Sequence, residues 1–258
     1  MTLNQAFKIL TDVAGAHVAR IVVDAMPRMS RWRLFWIVRK LRAGVPVAKI
    51  VHYKWFYGLK FYTSGWTLDP RPDTETIVDA VLGDYKKAKH ISIADLGCGT
   101  GCIICAIAKN ISADGVGLEK SLAAARVARK NIRDLGLMTK ISVRYGDFGC
   151  ATALPTGAFD VIVSNPPYIA RGDARVNLGA MHDPKMALFA AHNGLAAYEQ
   201  IAKNAKNWLK SGGRIYMEIG IDMDADVIKI FKNAGWSFVK SVKDLGEVVR
   251  VLVFENIK

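Results

Sequence analysis

The chain has 258 residues, 51% of them apolar, with 36 Lys+Arg against 23 Asp+Glu and a formal charge of +13. That apolar share supports a folded core and is too high for intrinsic disorder. The most apolar stretch, residues 91–108, is broken by Asp95 and three glycines, and Asn4, Gln5, Lys8 and Asp12 interrupt any leader-like segment, so a soluble, cytoplasmic protein without a membrane span is expected.

The excess charge is concentrated at one end. Residues 1–60 hold 11 basic and 2 acidic side chains, and residues 61–258 hold 25 and 21. Such a segment suits docking to an acidic partner, protein or nucleic acid, although a solvated helical face would carry the same charge.

In chain order, residues 3–51 read as helices, with a stop at Ala43-Gly44-Val45-Pro46. On a helical wheel over 28–43, Leu34, Ile37, Val38 and Leu41 share one side. Trp32 and Trp36 fall opposite them, with Arg28, Arg33, Arg39 and Lys40 around them. Either a small bundle buries both faces, or the second face is an aromatic-basic grip for a partner. Residues 53–63 are aromatic-rich and interrupted at Gly58, which predicts a short hairpin, and Pro70-Arg71-Pro72-Asp73-Thr74-Glu75 then opens a helix.

From there short apolar runs at 91–94, 116–118, 141–144, 161–164, 214–219, 237–242 and 248–254 alternate with helical stretches such as 121–135, 195–209 and 225–233. This predicts an α/β fold, a doubly wound, mostly parallel sheet of seven strands. Only residues 243–247 separate the last two runs, too few for a crossover, so the final strand is expected to be antiparallel.

Four cysteines, Cys98, Cys102, Cys105 and Cys150, do not read as disulfides. The first three spell C-x3-C-x2-C, a spacing that resembles the iron–sulfur cradle of radical S-adenosylmethionine enzymes. Cys102 and Cys105 fall on the helix after a glycine turn, and Ile104 stands where those enzymes carry an aromatic, so small buried thiols and no metal are expected.

That glycine turn, Asp95-Leu96-Gly97-Cys98-Gly99-Thr100-Gly101, follows a strand and precedes a helix, the place where open α/β sheets bind nucleotides. The dinucleotide pattern G-x-G-x-x-G would need glycine at 102, which is Cys. Instead, G-x-G-x-G preceded by Asp resembles the first motif of class I S-adenosylmethionine methyltransferases. In that family an acid ending the second strand accepts the ribose hydroxyls, matched by Glu119 at 22 residues after Gly97. An acid after the third strand accepts from the adenine amino group, matched by Asp147 with Phe148 to cover the ring.

A further strand runs directly into Asn165-Pro166-Pro167-Tyr168. Two acceptors there, the Asn165 side-chain oxygen and the Pro166 carbonyl, suit methylation of a planar nitrogen whose lone pair is tied up in resonance. They accept its N–H bonds and hold it in line for transfer, proline keeping the backbone pre-set and Tyr168 stacking on the planar group.

Together with Thr67-Leu-Asp-Pro-Arg-Pro-Asp-Thr-Glu75, Asp183-Pro-Lys-Met-Ala-Leu-Phe189, Asn193-Gly-Leu195 and Met217-Glu-Ile-Gly220, these motifs resemble the release-factor glutamine methyltransferase (HemK/PrmC) family over about residues 45–258. The resemblance implies a helical docking domain at 1–52, a hairpin linker at 53–68 and a transferase domain at 69–258. It also implies S-adenosyl-L-methionine as cofactor, S-adenosyl-L-homocysteine as product, and the glutamine of a Gly-Gly-Gln loop in peptide chain release factors as substrate. It adds Arg71 and Thr74 to the cofactor residues Gly97, Cys98, Gly99, Thr100, Gly101, Glu119, Asp147, Phe148 and Asn165, and makes Pro167 a substrate contact beside Asn165, Pro166 and Tyr168. The chain departs from the family in having Glu119 for Asp, Phe148 where Trp is frequent, and Ala190-Ala191 for Gly-Gly. A monomer that needs no nucleic acid is expected. The competing readings are an amino-methyltransferase of adenine or guanine in RNA or DNA, and a non-catalytic binding module on the same fold.

Overall fold

The computed structural model describes residues 1–173 and 179–257. Its first three helices are α1 (Leu3–Ala25), α2 (Arg31–Arg42) and α3 (Val47–Val51). They close on a small core of their own, built from Ala6, Leu10, Ala19, Val22, Leu34, Ile37 and Ile50. Helix α2 stops as its sequence predicts: the Gly44 N–H donates to the Leu41 carbonyl and the Val45 N–H to that of Lys40, the paired bonds of a glycine-terminated helix.

Strands β1 (Tyr53–Phe56) and β2 (Leu59–Tyr62) form the expected hairpin. Phe56 pairs with Leu59 across a two-residue turn, Tyr57-Gly58, in which both residues have positive φ (49° and 71°), the turn whose twist matches that of the strands. Helix α4 (Glu75–Tyr85) follows a single 3-10 turn at Pro72–Thr74. Glu75 anchors the hairpin, accepting from the Tyr57 N–H at 2.6 Å, while the Tyr57 hydroxyl donates to Asp79 at 2.7 Å.

The remaining elements are β3 (Ile91–Leu96), α5 (Cys102–Asn110), β4 (Ala113–Glu119), α6 (Leu122–Asp134), β5 (Ile141–Tyr145), β6 (Phe159–Ser164), β7 (Ile169–Ala170), α7 (Lys185–Leu188), β8 (Phe189–Ala190), α8 (Ala196–Trp208), β9 (Leu209–Glu218), α9 (Asp224–Asn233), β10 (Ser237–Lys243) and β11 (Val249–Glu255). Seven of the strands form one sheet in the order β10-β11-β9-β6-β3-β4-β5. β11 is antiparallel to both its neighbours, and the other pairings in this sheet are parallel.

The alternation of side chains along each strand divides the core into two layers. Val161, Val163, Tyr216, Val251 and Val253 face one way, onto residues of α4 and α5. Ile162, Ile215, Met217, Leu252 and Phe254 face the other, onto residues of α8 and α9. Each fully buried aliphatic side chain contributes about 1.5–3 kcal/mol.

Two strands are longer than their apolar runs suggest. β4 begins at Ala113, because Gly115 and Gly117, poor strand formers by themselves, lie in the pairing with β3. β9 begins at Leu209, and the Ser211-Gly212-Gly213 stretch is absorbed as a register shift against β6. The short parallel pair β7–β8 has no counterpart among the predicted strands. Among the described residues no helix is long and apolar enough to cross a membrane.

Candidate active site

At the carboxyl edge of the sheet, the loop after β3, the end of β4 and the turn after β6 surround a cavity of about 830 Å³. Gly97, Cys98, Gly99, Thr100, Glu119, Asp147, Phe148, Asn165 and Pro167 line it, with Arg71 and Thr74 from the segment ahead of α4. Gly101, Pro166 and Tyr168 are not among the lining residues. Gly101 caps α5 at φ +77°, a backbone conformation that favours glycine. Pro166 is buried, and Tyr168 packs onto the core layer under α8.

The glycine loop is bound to β4. Glu119, 8% exposed, accepts from the Gly99 N–H at 2.9 Å and from the Ser121 N–H at 2.8 Å. Each carboxylate oxygen therefore takes one backbone bond and keeps acceptor capacity for a ligand. The loop can lie this close because of Gly117, where a Cβ would stand 2.7 Å from the Cys98 sulfur. Asp95 is 1% exposed, and burial, with Glu119 adding to it and hydrogen bonding from the Ile104 backbone opposing it, pushes its pKa up to about 7. Asp147 is drawn up by burial, but Lys120 at 2.6 Å and the Gly149 N–H outweigh this and hold it below its ordinary value. Acids on three sides of a glycine loop suit a ligand that carries positive charge and vicinal hydroxyls.

Asn165 sits between this loop and α4. Its Nδ2 donates to Thr74 Oγ1 at 3.0 Å, and hydrogen bonding from Thr74 and Asn165 lowers the pKa of the Glu218 carboxyl beside them. Behind the turn, Asn193-Gly194 presses on Tyr168: Gly194 has φ +91°, and a Cβ there would stand 2.2 Å from the Tyr168 carbonyl oxygen. Gly194→Ala is expected to displace the turn by a sizeable fraction of an ångström and lower kcat about a hundred-fold in protein that still melts cooperatively. An unimpaired variant would show that the turn tolerates the shift.

A buried cation ties the helical segment to the site. Lys49 of α3, 8% exposed, donates to the carbonyls of Ser64 (2.7 Å) and Thr67 (2.6 Å) and pairs with Asp69 and Asp183, each at 2.8 Å. Asp183 also pairs with the cavity residue Arg71 at 2.6 Å. Lys49 carries no mark in the sequence, and Glu218 stands out there only as part of the Met217-Glu-Ile-Gly220 motif, with no role attached. Lys49 is one lysine within a basic segment, and the signal for Glu218 is an acid closing an apolar strand.

The cysteines occupy the expected interior: Cys98, Cys102 and Cys105 are buried, and burial raises all three thiols. On α2 the inner face, Leu34 and Ile37, is buried, and the outer face is not covered. Trp32, Phe35 and Trp36 are 70%, 48% and 51% exposed, with the Arg39 guanidinium 5.2 Å from the Trp36 ring. A bundle that buries both faces is thus not what forms. Arg28, Arg33, Arg39 and Lys40 are exposed around the aromatic row.

Residues 76–182 match the family model of the methyltransferase small domain. A release factor glutamine methyltransferase of Agrobacterium fabrum is 39% identical, the match covering 98% of this chain and 90% of that protein. One from Caulobacter vibrioides is 35% identical over 95% and 86%. Among solved structures, a methyltransferase from Pyrococcus furiosus has the same fold, with a TM-score of 0.59 at 18% identity over 88% of this chain and 98% of that one.

Proposed function

As this chain belongs to the release factor glutamine methyltransferase family, we propose that it transfers a methyl group from S-adenosyl-L-methionine to the side-chain amide nitrogen of the glutamine in the Gly-Gly-Gln loop of peptide chain release factors, in the cytoplasm where translation ends. The observation that carries this reading is the relatedness over nearly the whole chain, helical segment included, which sets it above a nucleic-acid amino-methyltransferase.

The residues at the carboxyl edge fit the cofactor. Gly97 and Gly99 admit it to the backbone, Glu119 has acceptor capacity for ribose hydroxyls and a charge that favours a cation, and Asp147 and Phe148 offer an acceptor and a ring face for adenine. When bound, S-adenosyl-L-methionine supplies an electrophilic methyl on a sulfonium sulfur. The protein's task is to orient the amide. Asn165 Oδ1 and the Pro166 carbonyl accept its two N–H bonds, which holds the nitrogen and favours its pyramidalisation. The alkylated nitrogen is acidic and loses its extra proton to water, so no dedicated base is required. Holding the reactants in this way is worth about 7–11 kcal/mol in the best cases.

Residues 1–52 act in this reading as the docking domain, residues 53–68 as its linker and residues 69–258 as the transferase. The exposed row Trp32, Phe35, Trp36 with Arg28, Arg33, Arg39 and Lys40 supports that role for α2. The double variant Trp32→Ala/Arg39→Ala is expected to raise KM for intact release factor about ten-fold or more. It should leave KM for a short Gly-Gly-Gln peptide unchanged. Equal loss on both substrates would assign α2 a folding role instead.

The function itself is tested by incubating the protein with methyl-labelled cofactor and, separately, release factor, ribosomal RNA or DNA, then mapping the acceptor atom by mass spectrometry. Label on the glutamine amide supports the proposal. Label confined to nucleic acid refutes it.

A further inference from the structure

Asn165, Thr74 and Glu218 reach one point from three segments. Asn165 follows β6, Glu218 ends the adjacent β9, and the two strands pair Ser164 with Met217, which sets Asn165 beside Glu218. Thr74 stands immediately ahead of α4. Glu218 is 1% and Thr74 2% exposed. Thr74 and Asn165 lie against the Glu218 carboxyl, where hydrogen bonding from each lowers its pKa, while its Oε2 has no hydrogen-bond partner among the described residues.

The direction of this chain of bonds is set at its buried end. In its ionised form the Glu218 carboxylate only accepts, and a hydroxyl has a single proton to give. With that proton directed to Glu218, Thr74 Oγ1 is left as an acceptor, and the group it meets at 3.0 Å is the Asn165 amide nitrogen. Both acceptors thus draw the NH2 end of Asn165 inward. The amide oxygen, on the other branch of the same planar group, is the atom left for the cavity that Asn165 lines. Without such a partner, the nitrogen and oxygen ends of an amide are close to interchangeable in shape.

We propose that Glu218, acting through Thr74, is a positioning residue that fixes the Asn165 amide with its oxygen toward the substrate nitrogen; this rests on the reading above that a planar amide is methylated here. Asn165 presented the other way round would offer N–H groups to a substrate that itself needs acceptors. The arrangement is kept at a cost to the fold. Burial pushes the Glu218 pKa up to about 7, Asp73 adds to the shift, and Arg250 and the two hydrogen bonds oppose it. Arg250 is itself shared with Asp73 at 3.0 Å and Asp244 at 2.9 Å, and the neighbouring Tyr168 and Tyr198 hydroxyls are raised by burial, so among the described residues no cation is dedicated to Glu218. A buried carboxylate held so poorly compensated is better explained by what it orients than by what it stabilises.

Glu218→Met tests this in the full-length protein, removing the charged acceptor at similar volume. With release factor as substrate, kcat is expected to fall about 50-fold, while KM for release factor and Kd for S-adenosyl-L-methionine stay within about three-fold. The melting temperature is expected to hold or rise, because an apolar side chain replaces a poorly paired buried charge. Glu218→Gln, which keeps one acceptor oxygen but no charge, should fall between wild type and Glu218→Met. Adding Thr74→Val to Glu218→Met should cost less than about a further three-fold, since both belong to one relay. In 15N-labelled protein without cofactor, the Asn165 side-chain amide protons are expected to exchange slowly with solvent, and faster in Glu218→Met.

Wild-type-like kcat in Glu218→Met would overturn the proposal. So would a loss of kcat matched by equal losses of cofactor binding and melting temperature, or fast exchange of the Asn165 amide in the wild type. If the wild type transfers no label to release factor, the functional reading fails instead, and the exchange measurement still decides whether Glu218 orients Asn165.

Discussion

Asn165→Ala is expected to lower kcat on release factor about a thousand-fold, with Kd for S-adenosyl-L-methionine within a few-fold of wild type. The asymmetry follows from where the residue stands. The glycine loop, Glu119 and Asp147 come from β3, β4 and the turn after β5, and none of their recorded hydrogen bonds involves Asn165. Truncating Asn165 deletes one of the two acceptors proposed for the substrate nitrogen and leaves the other, the Pro166 carbonyl, in place. A substrate held by a single bond rotates about it, and the lone-pair direction is lost together with the interaction. The measurement is single-turnover methyl transfer with calorimetric cofactor binding on the same preparation. Turnover near wild type would remove Asn165 from the chemistry, and equal loss of cofactor affinity would move its main role to the cofactor site.

Lys49→Ala is expected to lower folding stability by about 3–5 kcal/mol, the usual cost of stranding a buried ion-pair partner. For a chain of this size that corresponds to roughly 6–20 °C in Tm. Asp69 and Asp183 have 6% and 1% of their side chains exposed, so neither can turn to water when the ammonium is removed. Asp69 keeps its bond from the Thr63 hydroxyl and Asp183 its pair with Arg71, but the cation common to both is gone. Adding Asp69→Asn should recover part of the loss, since it removes one of the stranded charges. Denaturant unfolding monitored by tryptophan fluorescence reads both variants, and a loss below about 1 kcal/mol would show that water enters and replaces the ammonium. Because Asp183 also holds Arg71 at the cavity, Lys49→Ala is expected to weaken cofactor binding as well, and so to link the helical segment to the transferase site.

What the sequence made legible followed local rules. The hairpin at Gly58 and the helix stop at Gly44 rest on contacts among near neighbours in the chain, and the seven strands and the antiparallel last one show as local apolar runs and a short connection. The glycine loop, Glu119, Asp147, Phe148 and Asn165 were legible because strand ends at one sheet edge converge whatever the details of packing. Long-range polar contacts were not. Lys49 meets Asp183 across 134 positions, and Glu218 meets Thr74 across 144, with nothing in the local pattern of either to announce the partner. Lys49 also carries a caution about charge counting: one of the 11 basic residues in the first 60 is internal and unavailable to any docking surface. Tyr168, expected to stack on the planar substrate group, is partly buried and packs against the core layer that includes α8.

The position of β11 between β9 and β10 bears on how the protein is made. Strand β9 carries Glu218, and its flank away from β6 is covered by β11, which follows the other six strands of this sheet in the chain. Until residues 249–255 emerge, β9 presents an open row of backbone donors and acceptors, of the kind that recruits foreign strands. The cofactor loop lies much earlier in the chain and can take shape while synthesis continues, but the edge that orients Asn165 cannot be completed before β11 has emerged. A nascent chain stalled short of Val249 is therefore a candidate client for chaperones, with half of its catalytic apparatus formed and the other half waiting on the final strand.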